Sequence, residues 1–361
     1  MPDRPTARQR DAWLLAAMTV PAVALCAGIG WQWALLGGAI SAALYLIQGR
    51  ARQSGLALRD AVNEAFGAAG GTMIMVLAAI WNLFALAWLT QRADGAFPEA
   101  KDSVAVGLIL LALAAFAAWK GEAVAARCAG VIALVLAGLY ALLFCAAIGD
   151  VQLEWLRPWG GWRRSVLPVA CLLLPCAAWY LGAEQEARGT KGHGVLLLFA
   201  PALAAAATAG CLSPRLAAME EAPFYEMVKG LSLFTVVERF EPLASTALAL
   251  GYFCAMSLLL CAARACFGGK RAPWQLAALA ALAGAGSFWA GRIPTAAFAA
   301  GAAIFWGLLP LLIPLVVDHK KGGKKSKIML DKSDPVWYYS GALLRVPCIA
   351  DARQENFEKS S

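Results

Sequence analysis

The sequence predicts an all-α membrane protein of about ten transmembrane helices, built as two inverted five-helix repeats. Three observations carry that reading. Long uncharged apolar runs alternate with short charged breaks from residue 11 to residue 317, and each run approaches the ~20 apolar residues that a bilayer crossing needs. The composition is 61% hydrophobic and 15% charged, with mean hydropathy +0.63, where soluble domains carry about 25% charged residues. Finally, helix-interrupting prolines fall at Pro21 in the first span and Pro175 in the sixth, five spans apart, as two repeats would place them.

The spans are expected at 11–31, 33–47, 70–90, 103–119, 123–148, 166–183, 194–212, 242–266, 274–290 and 295–317. The first follows the basic segment 1–10, which has no cleavage signature and is read as a cytoplasmic N-terminus leading into a retained helix. The second is short and joins the first tightly at Gly30-Trp31-Gln32, so a single long helix is the competing reading. Before the third, residues 56–66 pattern as a short amphipathic helix on the membrane surface. The fourth and fifth are separated only by Lys120-Gly121-Glu122. Ahead of the sixth, Trp155, Trp159 and Trp162 suit headgroup depth. Residues 216–234 are apolar enough to lie on the protein or dip between helices, and Pro223 divides them into two pieces. The eighth, ninth and tenth are plain apolar runs. Residues 318–361 read as a basic, then disordered, cytoplasmic tail.

Charge sets the expected orientation. With the N-terminus inside, eighteen lysines and arginines fall on the cytoplasmic side and nine outside, so both termini are expected in the cytoplasm. Arg157, Arg163 and Arg164 run against this bias. The two histidines, His193 and His319, make a histidine metal site unexpected. The ten cysteines contain no CxxC pair, and seven lie in apolar runs, as free thiols behave. The sequence has no phosphate-binding P-loop, no GxSxG elbow and no HExxH. Neither an enzyme nor a bound cofactor is expected.

Candidate site residues are the polar and helix-breaking ones within spans. Thr19 and Pro21 in the first span, and Pro175, Tyr180 and Gly182 in the sixth, mark either interrupted helices that expose backbone to a ligand or simple kinks. Trp81-Asn82 in the third span offers an interhelical hydrogen bond or a substrate contact. Ser245 lies near the start of the eighth. Glu238 and Glu241 share a helix face there, with Arg239 between them, and an interfacial cap is the competing reading. Glu184 ends the sixth span.

Pro223-Phe224-Tyr225-Glu226-Met227-Val228-Lys229-Gly230-Leu231-Ser232, leading into Glu238-Arg239-Phe240-Glu241 and an apolar run, resembles the integral-membrane B subunits of spore germinant receptors. These form the spore germination permease family of the amino acid–polyamine–organocation superfamily. Trp119-Lys120-Gly121-Glu122 with Arg127, and Tyr180-Leu181-Gly182-Ala183-Glu184, resemble two further stretches of that family. The resemblance spans residues 8 to about 317, and residues 18–24 depart from the family's glycine-rich first helix. It implies an amino acid transporter-like fold and a membrane subunit acting with an A-type and a lipoprotein C-type partner in the inner spore membrane. It further implies sensing of a small germinant such as an amino acid, with Glu184, Glu238, Arg239 and Glu241 as motif residues. A secondary amino acid or amine transporter, and a scaffold subunit without its own ligand, remain the alternatives.

Overall fold

The structure, a computed structural model, describes residues 23–52, 58–93, 105–181, 193–220, 222–231, 240–267, 273–292, 294–313 and 316. The segments 1–10 and 318–361, together with Thr19, Pro21, Gly182, Glu184, Glu238 and Arg239, lie outside them. Among the described residues, the principal helices in chain order are α1 (Trp31–Arg52), α2 (Leu58–Arg92), α3 (Ala105–Lys120), α4 (Glu122–Ala147), α5 (Trp162–Cys171), α6 (His193–Leu212), α7 (Pro214–Met219), α8 (Pro223–Gly230), α9 (Glu241–Phe267), α10 (Pro273–Ala290) and α11 (Thr295–Ala302). A 3-10 helix at Leu174–Leu181 follows α5, and a π-helix at Ala303–Leu308 continues α11.

The first and second spans are separate helices. A helical turn at 23–26 ends in a turn and bend, and α1 starts afresh where Trp33 N–H and Ala34 N–H donate to the Gly30 carbonyl. The second span is longer than expected, 22 residues, because polar Gln48 and the arginines after it continue the helix beyond the apolar run. Gly67 (φ 79, ψ 168) divides α2 into the expected surface helix and the third span. Either side of the expected division at Pro223 lie two short helices, α7 and α8, with residues 221 and 232–234 outside the described residues, and α8 buries Phe224, Tyr225, Met227 and Val228. The sixth span corrects the expected bounds: it begins at Trp162 and changes from α to 3-10 geometry across Leu172 and Leu173.

Among the described residues, five helices are long and apolar enough to cross a membrane: Ala61–Arg92, Glu122–Ala147, Trp162–Leu181, Glu241–Phe267 and Thr295–Ile313. Two of them show the extremes of position. In α9, 78% of the apolar window is buried inside the protein, against 22% in α4. The α9 helix is therefore a core element, as is Trp162–Leu181 at the same share, and the many Ala and Cys positions of α9 let neighbouring backbones approach closely. The outward face of α4 presents Val131, Leu134, Val135 and Leu142, a continuous apolar surface that lipid solvates and water would not.

Some helix pairings among the described residues match under a shift of five spans. The second packs on the seventh (α1 with α6) and the third on the eighth (α2 with α9). The eighth also packs on the fourth (α9 with α3), and the matching contact, third on ninth (α2 with α10), is present. The eighth–fourth and third–ninth contacts interconvert when the two five-span halves are exchanged, and the second–seventh and third–eighth contacts map onto themselves.

Candidate functional site

Two spans depart from α geometry, and they meet. Pro175 has no amide to donate, and the chain ahead of it turns from α to 3-10. Leu172 sits at this change, and its carbonyl accepts the Ser41 hydroxyl from α1. Across from it, the π-helix Ala303–Leu308 widens the tenth span by one residue per turn, which loosens its ladder and turns carbonyls toward other partners. The Tyr180 hydroxyl donates to the Phe305 carbonyl at 2.6 Å, and Gln48 Nε2 donates to the Trp306 carbonyl at 2.9 Å.

The third span completes the cluster. Asn82 is fully buried, its Nδ2 donates to the Ala78 carbonyl at 2.8 Å, and its Oδ1 accepts from Trp306 Nε1 at 3.1 Å. Trp81 stacks on Phe305 with centroids 5.7 Å apart and planes 13° from parallel. It also meets Phe84, Phe298 and Trp306 at 5.4–5.7 Å. Of the expected ligand residues, Trp81, Asn82 and Tyr180 are therefore brought together. Ser245 is buried one turn into α9 and adds no hydrogen bond to this network. In this packing Asn82 serves as the interhelical bond that the sequence allowed.

Two polar atoms in the cluster are unmatched. Gln48 Oε1, an acceptor, and Trp81 Nε1, a donor, are buried without hydrogen-bond partners. Leaving such a group unpaired in an apolar interior costs about 1–3 kcal/mol. Each would be satisfied by a water or ligand group of the opposite kind reaching it. Replacing Tyr180 with phenylalanine should cost about 1–2 kcal/mol in thermal unfolding, because it leaves the Phe305 carbonyl without its donor. An unchanged melting midpoint would show that the carbonyl finds another partner.

The motif residues are distributed around the bundle. Glu241 opens α9 and is partly buried, where the helix dipole favours a carboxylate. On α8, Lys229 Nζ donates to Glu226 at 3.0 Å, and this bond holds the exposed ammonium above its usual range. At the junction of the fourth and fifth spans, Gly121 adopts φ 114, ψ 160. There Arg264 from α9 lies 3.6 Å from Glu122 and donates to the Ala118 carbonyl at 3.3 Å. Arg264 is 9% exposed, so the arginine counted as a loop charge is in fact inside the helix junction.

Sequence reasoning missed Gln48, Phe305, Trp306 and Arg264. Gln48 had a signal: it directly follows the second apolar run, where a retained helix turn would carry it inward. The π-helix had none, since Ala-Ile-Phe-Trp-Gly-Leu is ordinary transmembrane sequence. Among the described residues no group of three His, Cys, Asp or Glu is placed to hold a metal ion.

No family model matches the chain, and no curated protein matches it. Among solved structures, it is similar to a nucleobase-cation-symport-1 family transporter in a closed conformation with bromovinylhydantoin bound. The identity is 15% and the TM-score 0.44, covering 86% of this chain and 72% of that one.

Proposed function

We propose that the chain is the membrane subunit of a spore germinant receptor and senses a small polar germinant, such as an amino acid, among its second, third, sixth and tenth spans. The observation that carries the binding site is the unmatched pair, Trp81 Nε1 and Gln48 Oε1, beside two non-α segments. The receptor role rests on the motif resemblance of α8, of the start of α9 and of the Lys120-Gly121-Glu122 turn. Binding would act by favouring one of two helix packings, since a ligand shifts an equilibrium only by its differential affinity. The partners are an A-type and a lipoprotein C-type subunit, in the inner spore membrane or cell membrane, with both termini cytoplasmic.

A secondary amino acid or amine transporter is the second reading. It is favoured by the meeting of two non-α segments, in the sixth and tenth spans, since interrupted helices build transporter sites. Against proton coupling, no acidic side chain is among the buried polar residues described.

The test uses the full chain in proteoliposomes and a panel of labelled amino acids. Saturable binding without accumulation is expected, weakened about tenfold by Trp81→Phe, which keeps the ring and removes the donor. Deleting the gene in a sporulating host should abolish germination by the same amino acid. Gradient-driven accumulation would replace the receptor with the transporter; no binding by any amino acid would end the sensing role.

A further inference from the structure

Arg164, one of the three arginines that oppose the charge bias, lines a pocket. The pocket, of about 640 Å³, opens between the end of the first span, the loop before α5, and α7. Arg164 lines it from α5 and Arg215 from α7. Among the described residues neither guanidinium has a carboxylate within ion-pair distance, and no Asp or Glu is among the lining residues. Both arginines are exposed, and they reach one pocket from different walls with no described carboxylate lining it.

The cavity wall is built rather than incidental. Three successive side chains at the start of α1 hold the loop. Trp31 Nε1 donates to the Leu156 carbonyl at 2.8 Å, Gln32 Nε2 to Trp159 at 2.6 Å, and Trp33 Nε1 to Gly160 at 3.2 Å. Gly30 permits this seating, since a Cβ there would overlap the Trp159 carbonyl. Trp159, which lines the pocket, buries its indole N–H without an acceptor. Gly161 begins α5 with no side-chain cap, so the positive end of that helix dipole adds to the two arginines.

We propose that this pocket binds an oxyanion, a phosphate or carboxylate group, between Arg164 and Arg215. Arginine's fork of donors suits both groups, and the volume lies in the ~300–1,000 Å³ range of organic ligands rather than bare ions. The tryptophans around it belong at headgroup depth. The oxyanion therefore comes either from an anionic lipid headgroup or from a soluble organic anion. This site is separate from the Asn82 cluster and does not depend on the receptor reading.

The test places the full chain in phosphatidylcholine nanodiscs and titrates glycerol 3-phosphate and glutarate, reading binding by calorimetry. In parallel, native mass spectrometry counts phosphatidylglycerol and phosphatidylcholine retained from mixed bilayers. Wild-type protein is expected to bind one class, more weakly as salt rises. Arg164→Gln with Arg215→Gln should weaken it at least tenfold without moving the melting midpoint in neutral lipid. Ala218→Trp, which fills the pocket and leaves both arginines, should lose the same binding. Binding of the soluble probes identifies a soluble anion, and selective retention of phosphatidylglycerol identifies a headgroup. No binding in either arm, or binding that survives both variants, overturns the proposal.

Discussion

Replacing Gly301 with alanine is expected to push the tenth span off the third and cost about 3 kcal/mol, the upper end for overpacking a filled core. A Cβ at Gly301 would overlap the six-membered ring of Trp81, meeting Cζ3 and Cη2. An indole wedged among Phe84, Phe298, Phe305 and Trp306 has no free rotamer to retreat into. The strain falls two residues before the π-helix, so the Tyr180–Phe305 and Gln48–Trp306 bonds should loosen with it. The measurement is a thermal midpoint in detergent with a double-mutant cycle. Trp81→Leu destabilises alone by removing ring contacts, yet it frees the space that the new methyl group would need. The double variant should therefore be more stable than the two single effects predict, by about 1–2 kcal/mol of coupling. Simple additivity would mean that the indole is not what forbids a side chain at that position.

That contact also explains which parts of the molecule the sequence discloses. Span positions are readable because apolar runs end where charge begins, and this holds for α3, α4, α9 and α10 within a few residues. The break in the sixth span is readable because Pro175 removes a donor wherever it sits. The break in the tenth span is not, because its cause is remote: the Trp81 ring against Gly301, and the Tyr180 and Gln48 donors waiting for its carbonyls. Trp81, Asn82 and Tyr180 stood out as polar or aromatic groups within spans, and they do share one cluster. What they share it with could not be read, since Phe305 and Trp306 look like ordinary lipid-facing aromatics until the repeats are folded together. Arg264 was hidden for a related reason. An arginine at the end of an apolar run reads as topology, and only the packing of α9 against α3 and α4 turns it inward.

Arg264→Leu is accordingly expected to be the most damaging charge removal among the described residues, lowering stability by about 3 kcal/mol. The guanidinium serves two acceptors, Nη2 toward Glu122 and Nη1 toward the Ala118 carbonyl in the last turn of α3. Breaking a buried pair costs about 3–5 kcal/mol. The lower end applies because Glu122 keeps 19% side-chain exposure and sits in the first turn of α4, where the dipole favours it. Glu122→Gln should cost only about 1 kcal/mol, since the amide oxygen still accepts and Arg264 keeps the Ala118 carbonyl. Arg264→Lys should fall between, because one ammonium cannot span both acceptors as a fork does. The order Leu, then Lys, then Gln at position 122 can be read from melting midpoints at fixed detergent and salt. The junction cannot adjust by moving its backbone: Gly121 at φ 114, ψ 160 occupies a region open essentially to glycine alone. If Arg264→Leu and Glu122→Gln cost the same, the Ala118 bond contributes nothing, and Arg264 is a paired surface charge rather than the clamp that ties the fourth and fifth spans to the eighth.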